Sequence, residues 1–274
     1  MKRCTLALWI SALLCPPLQA QQTPGVLAHF AGAGAAGYRH QNIFSVIQQP
    51  AALAGINSAQ AGMTGMLPYN LPELGTYQLL IAVPAGPGAF TGMAGMYGKG
   101  VYTDNRVSAG YGRRLGNRTR AGLLFHYNRV QFTGYTHSAA FSASGGLQTV
   151  LTDQLTLSFS VENPAAFFQE QKNDLYLPLL LSWGIGFEPS HSVLFSLQAQ
   201  KQEDRPASVL FSMLYKPVPG VQIRAGIETG QGQCWAGAGY RLGRLWLDLG
   251  SAWHPRLGIS PLMQALFYLK NEKP

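Results

Sequence analysis

Arg244-Leu245-Trp246-Leu247-Asp248-Leu249-Gly250 alternates without a slip, with Leu245, Leu247 and Leu249 on one side and Trp246, Asp248 and Gly250 on the other. Successive side chains of a β-strand point to opposite faces, so a strict period of two describes a strand with one apolar and one polar face. Working outward, Leu155, Leu157, Phe159 and Val161 alternate with Thr156, Ser158, Ser160 and Glu162. Val221, Ile223, Ala225 and Ile227 alternate with Gln222, Arg224, Gly226 and Glu228. Period-2 or β-rich composition predicts fourteen strands, near Ser58–Met66, Gly75–Ala85, Ala89–Tyr97, Arg106–Arg114, Arg118–Gln131, Ser138–Val150, Gln154–Glu162, Pro178–Glu188, Ser192–Lys201, Ala207–Lys216, Val221–Glu228, Gln233–Leu242, Arg244–Trp253 and Leu257–Lys270.

Alternation alone fits two architectures. A soluble β-sandwich turns the apolar series inward, whereas a transmembrane barrel turns it to lipid and the polar series to the lumen. Composition favours the barrel. Only 12% of residues are charged, about half the share of a soluble domain, beside 47% hydrophobic residues and 32 glycines. No apolar run after the leader approaches the roughly 20 residues of a membrane helix. The connections agree, because bacterial barrels alternate short periplasmic turns with longer outer loops. Gly86-Pro87-Gly88, Leu115-Gly116-Asn117, Leu151-Thr152-Asp153, Pro189–His191, Pro217–Gly220 and Leu242-Gly243 read as the short set. Leu67–Leu74, Gly98–Asn105, Phe132–His137, Asn163–Leu177, Gln202–Pro206, Thr229–Gly232 and His254–Arg256 read as the outer set. Tyr97, Tyr127, Tyr215, Tyr240 and Trp253, near strand ends, fit interfacial girdles. Glycines inside strands (Gly92, Gly95, Gly110, Gly112, Gly184, Gly186, Gly237, Gly239) weaken a soluble sheet but leave room for a plug to approach a barrel wall.

Met1–Ala20 reads as a secretory signal peptide, with Lys2 and Arg3 as its basic region, Leu6–Leu14 as its apolar core and Leu18-Gln19-Ala20 as the cleavage site. Cys4 and Cys15 leave with it. Cys234 then stands alone, which rules out an intramolecular disulfide and a multi-cysteine metal site. Loss of Lys2 and Arg3, from a segment with no acid, takes the net charge from +8 to +6. The basic residues are scattered apart from Arg113, Arg114, Arg118 and Arg120, so nucleic acid is not an expected partner. That arginine group reads as lining the barrel mouth and pairing with lumen acids, or as a docking patch for acidic partners or headgroups.

Ahead of the strands lies Asn42-Ile43-Phe44-Ser45-Val46-Ile47-Gln48-Gln49-Pro50-Ala51-Ala52-Leu53-Ala54-Gly55, preceded by the Gly/Ala-rich Ala31–Gly37, which reads as flexible. A Gly/Ala-rich lead-in followed by Phe-Ser and a Pro-Ala-Ala-Leu-Ala turn resembles the N-terminal hatch of the FadL-like outer-membrane barrels. That group includes the Bacteroidetes proteins of the PorV/PorQ kind. The resemblance spans roughly residues 30–62 and departs at Gln48-Gln49, where such proteins usually carry one or two Asn before the Pro. It implies hatch or gate roles for Asn42, Phe44, Ser45, Gln48, Gln49, Pro50, Ala51, Ala52 and Leu53. It also implies an apolar ligand groove in the outer loops, which Phe167, Phe168, Leu175 and Tyr176 of the longest loop would supply here.

Catalysis is not expected. His29, His40, His126, His137, His191 and His254 sit in no nucleophile motif, and no Gly-x-Ser-x-Gly elbow occurs. Ala31–Gly37 lacks the Gly-Lys-Ser/Thr ending of a phosphate loop. Neither a metal site nor a cofactor is expected. The reading is an all-β transmembrane antiparallel barrel of about fourteen strands. Residues 1–20 are the signal peptide, 21–57 the hatch and 58–274 the barrel in the outer membrane, with both termini periplasmic. Its surroundings are outer-membrane lipid and lipopolysaccharide. The resemblance implies either passage of a hydrophobic small molecule or a type IX secretion role in which the barrel binds secreted cargo or other secretion-system proteins.

Overall fold

A computed structural model of the chain describes residues 25–134, 137–168, 175, 177–203, 205–230 and 232–269. Fourteen antiparallel strands close into a barrel in which each pairs with its sequence neighbours and β1 pairs with β14. They are β1 Gln60–Met66, β2 Thr76–Ala85, β3 Gly88–Tyr97, β4 Tyr102–Arg114, β5 Thr119–Phe132, β6 Ser138–Val150 and β7 Leu155–Glu162. The remainder are β8 Leu180–Ser190, β9 Val193–Gln202, β10 Ser208–Tyr215, β11 Val221–Glu228, β12 Gln233–Leu242, β13 Leu245–His254 and β14 Gly258–Tyr268. Every strand expected from the sequence has one counterpart. The largest displacement is at β4, which starts at Tyr102 and pairs Asp104 with Tyr97 and Asn105 with Met96. Asp104 looks like a loop residue in a soluble sheet, but it shares the face of β4 that carries Arg106 and Ser108 to the lumen, while Asn105 falls on the other face with Val107. The predicted loop Gly98–Asn105 is correspondingly shorter.

The alternation resolves with the apolar series outward. On β5, Leu123, Phe125 and Tyr127 are exposed while Gly122, Leu124, His126 and Asn128 are buried. On β13, Leu247, Leu249 and Trp253 face out and Asp248 is fully buried. Outward rings pair across strands, Tyr127 with Phe141 at 5.1 Å between centroids and Phe159 with Trp183 at 5.8 Å. A closed sheet has no edge to satisfy, and a polar interior with an apolar exterior is the arrangement a bilayer demands. Tyr127, Tyr215, Tyr240 and Trp253 are exposed as girdle residues would be. Tyr97 departs from that expectation. It shares the inner face of β3 with Met93 and Gly95 and meets Tyr102 edge-on at 5.9 Å.

The hydrophobic core lies in the lumen, where the segment before β1 fills the end that carries the short turns. Its elements are helix α1, Val26–Ala31, and two 3-10 helices, Ile43–Ile47 and Pro50–Gly55. Phe44, Val46 and Leu53 are fully buried and pack with Leu80, Leu124 and Leu266 of the wall. Phe30 meets Trp235 edge-on at 5.7 Å. Ala31, Ala33, Ala35 and Ala36 are buried as well. Ala31–Gly37 is therefore a close-packed segment, and the flexibility expected from its small side chains is corrected. Small residues here allow close approach to the wall.

Candidate functional site

The lumenal segment is shaped by its own local chemistry. The Asn42 side chain accepts the Phe44 N–H at 3.0 Å and Ser45 Oγ accepts the Asn42 N–H at 3.2 Å, a reciprocal cap on the first 3-10 helix. Pro50 opens the second, where a missing N–H costs nothing. Gln49, between the two, donates from Nε2 to the carbonyls of Leu147 on β6 and Phe159 on β7, at 3.1 and 3.2 Å. A longer amide than Asn thus reaches two neighbouring strands of the wall.

Glycines in the wall receive this segment. A β-carbon on Gly122 would overlap the Pro50 carbonyl, and one on Gly146 would overlap the Gln49 side chain. Built at Gly112 it would lie 2.7 Å from Leu53, at Gly62 2.5 Å from Phe44, and at Gly237 and Gly250 2.6 Å from Phe30. Gly112, Gly186 and Gly237 serve the close approach expected of them. Gly92, Gly95 and Gly110 meet only barrel atoms and Gly239 meets Asp248 and Trp246, while Gly62, Gly122, Gly146 and Gly250 complete the cradle.

Charged and polar groups tie the segment down. Glu188 on β8 accepts the Tyr38 and Arg39 N–H groups at 3.1 and 3.0 Å and His40 Nδ1 at 2.7 Å. Arg120 on β5 stacks 3.6 Å from the Tyr38 ring and donates to Gln41 Oε1 at 2.6 Å. Arg114 donates to the Ala54 carbonyl and to Asn57 at 3.0 and 2.6 Å. On the opposite wall Arg224, paired with Asp248 at 3.2 Å, donates to the Phe30 carbonyl at 3.0 Å. Of the arginine group expected to pair with lumen acids, Arg114 and Arg120 bond oxygens of the N-terminal segment instead, and Arg113 and Arg118 are exposed.

On the other side of the segment from α1 the lumen opens into a cavity. Its volume is about 80 Å³. Ile47, Gln48 and Pro50 form its floor, and Met93, Leu124, Val161 and Leu180 give it apolar wall. The polar wall is organised around two side chains, His126 and Arg106. His126 bonds Ser108 Oγ through Nδ1 and Ser144 Oγ through Nε2, each at 2.7 Å. Arg106 bonds Glu162 Oε1 and Asn128 Oδ1, each at 2.7 Å. The alternation places Glu162 on the polar face of its strand but cannot place Arg106 beside it, because the pairing joins β4 to β7. Among the described residues, no three His, Cys, Asp or Glu side chains group as a metal site.

Of the expected gate residues, Gln48 and Pro50 reach this cavity. Phe44, Ala51, Ala52 and Leu53 are buried against the wall, and Asn42 and Ser45 act in the cap. Phe167 and Phe168 fall in the short 3-10 helix Pro164–Phe168. Leu175 is half-buried and does not line the cavity. Tyr176 and residues 1–20, expected to form a signal peptide, lie outside the described residues.

Neither a protein-family model nor a curated protein matches the chain in sequence. Solved structures do match in shape. A Pseudomonas aeruginosa FadL homologue superposes with a TM-score of 0.60 at 13% identity, over 88% of this chain and 96% of that one. The architecture is that of the FadL-type barrels. The CymD monoaromatic hydrocarbon channel shares the FadL-type fold with a TM-score of 0.61 at 10% identity, over 85% of this chain and 94% of that one. The Pseudomonas putida toluene transporter TodX gives 0.60 at 10% identity, over 90% and 97%. Identities this low make the fold the common property.

Proposed function

We propose that this protein is an outer-membrane barrel that passes a small hydrophobic molecule, with residues 25–57 as the hatch. The observation that carries this reading is the cavity resting on Ile47, Gln48 and Pro50, so that the floor of a lumenal chamber is the hatch itself. A largely preformed pocket with apolar walls and a few placed polar groups is what small-molecule sites have in common. The FadL-type fold supports it, since its neighbours include a monoaromatic hydrocarbon channel and a toluene transporter. The protein would act without catalysis, its outer face in lipid and lipopolysaccharide and its short turns and termini in the periplasm. The PorV/PorQ-like secretion reading expects a closed lumen, and the cavity favours passage over it.

The test is uptake of labelled toluene by porin-deficient cells with a lipopolysaccharide outer leaflet, expressing the protein or an empty vector. Faster uptake, with the protein recovered from the outer membrane as a band that migrates faster unboiled, supports the proposal. A folded outer-membrane band with uptake of toluene, and of labelled phenol measured in the same way, equal to the vector control sinks it.

A further inference from the structure

The polar wall of the cavity narrows the ligand class, an inference that rests on the passage reading above. Arg106 and Glu162 are the charged side chains that line it, and they are bonded to each other at 2.7 Å, so they add no net charge. His126 contributes none either in the arrangement seen. Each ring nitrogen meets a serine hydroxyl, and a neutral imidazole, one donor and one acceptor, suits two hydroxyls that can each play either part. The lining is nevertheless rich in hydrogen-bonding groups, with Ser160, Ser182, Gln78 and Gln200 adding to these. At the floor the Gln48 amide is turned toward Gln198, from whose Nε2 it accepts at 3.3 Å, and its own nitrogen has no surface in the cavity, so the hydroxyls and amides of the wall are what a ligand meets.

We infer that the cavity selects an uncharged amphiphile, a small apolar body carrying one hydroxyl as in an alcohol or phenol, over both a pure hydrocarbon and a carboxylate. A hydrocarbon would displace any water that had served the serines and leave them unanswered, and buried polar groups left unpaired cost binding. A carboxylate has its natural partner, Arg106, already held by Glu162, and its own charge would lie beside that acid. A hydroxyl oxygen can accept from whichever of Ser108 and Ser144 keeps its proton free while its own proton goes to the other, both serines being held by His126, and the ligand's apolar body then lies on Met93, Leu124 and Leu180. The proposal depends on the balance between Arg106 and Glu162, which gives it a directional test.

Equilibrium dialysis of labelled phenol, toluene and benzoate at neutral pH, against the folded full-length protein in detergent with empty micelles as blank, reads the preference directly. Phenol is expected to bind about tenfold more tightly than toluene or benzoate, the worth of one good hydrogen bond. Glu162→Gln frees Arg106 and should raise benzoate affinity about tenfold while leaving phenol within about twofold. His126→Leu should bring phenol down to the toluene level without changing toluene. Retained fast migration of the unboiled band establishes that each variant is folded, and Ser144→Ala replaces His126→Leu where that variant is not. Toluene bound as well as phenol, or benzoate unresponsive to Glu162→Gln, overturns the selectivity and leaves the passage reading standing. None of the three bound by wild type overturns both.

Discussion

His40 donates from Nδ1 to Oε1 of Glu188 across 2.7 Å, and both side chains are 1% exposed. With the Tyr38 and Arg39 N–H groups on the same carboxylate, Glu188 fastens three consecutive residues of the N-terminal segment to β8. An acceptor-only group that takes three donors is poorly replaced by an amide, which presents one oxygen and two donors of its own. Glu188→Gln should therefore loosen the segment without opening the barrel. Severalfold faster swelling of proteoliposomes in small sugars, with the heat-dependent gel shift kept, is the expected outcome. Unchanged swelling would mean that this clamp does not govern the lumen.

The glycine cradle makes a second, independent prediction. Gly122→Ala and Gly146→Ala place a methyl group where the Pro50 carbonyl and the Gln49 side chain stand, and overpacking of this kind costs about 1–3 kcal/mol. Both should lower the temperature at which the fast-migrating band is lost. Gly92→Ala is the control, because its added carbon would meet only an Ile81 methyl at 3.5 Å. Equal behaviour of all three variants would remove the cradle as an explanation of why these strands carry glycine.

How far the sequence could be read follows from range. Strand positions were legible because period-2 alternation is local, and β6, β11 and β12 run over the very residues expected of them. Asp104 misled because its polarity belongs to the lumen, which exists only once fourteen strands have closed. The N-terminal segment was marked by its Pro-Ala-Ala-Leu-Ala turn, but what holds it was not. His40 and Glu188 are 148 residues apart, and Gly122 and Gly146 acquire meaning only when Pro50 is set against them. Arg106 and Glu162 likewise meet across three strands. A mid-strand charge in an alternating series is the sequence signal available for such pairs, and it names the residue without naming its partner.

The buried pair Arg224–Asp248 should behave as a unit. Asp248 also accepts from Gln222 Nε2 at 2.6 Å, and the Arg224 guanidinium lies 5.0 Å from the centre of the Phe30 ring. Breaking a buried ion pair from one side strands the other charge and costs about 3–5 kcal/mol, whereas replacing both with apolar groups costs far less. Arg224→Met and Asp248→Leu should each lower the thermal stability of the folded band, and the double variant should recover part of the loss. A double variant as poor as the sum of the singles would show that the two charges are not coupled.

The outward face carries its own test. Leu249 is 65% exposed in the middle of β13 and should stand against the hydrocarbon of the bilayer. Leu249→Arg should cost about 2–4 kcal/mol of folding into lipid vesicles, and the same change near a strand end, Phe141→Arg, about 0–1 kcal/mol. Similar losses at the two positions would mean that the apolar band is not arranged by depth.

Pro50 joins the cradle to the cavity, since its carbonyl faces Gly122 and its ring helps to line the cavity floor. Proline fixes φ at the first position of the second 3-10 helix, where no N–H is needed, and so holds the floor in one conformation. Pro50→Gly removes that restraint and part of the floor together while leaving every strand pairing intact. The barrel should still run as a fast-migrating unboiled band, and small-solute leakage through it should rise. Pro50→Ala, which keeps some of the backbone restraint, should leak less than Pro50→Gly. Leakage equal to wild type in both folded variants would place the gate somewhere other than this segment, and the hatch role of residues 25–57 would fall with it.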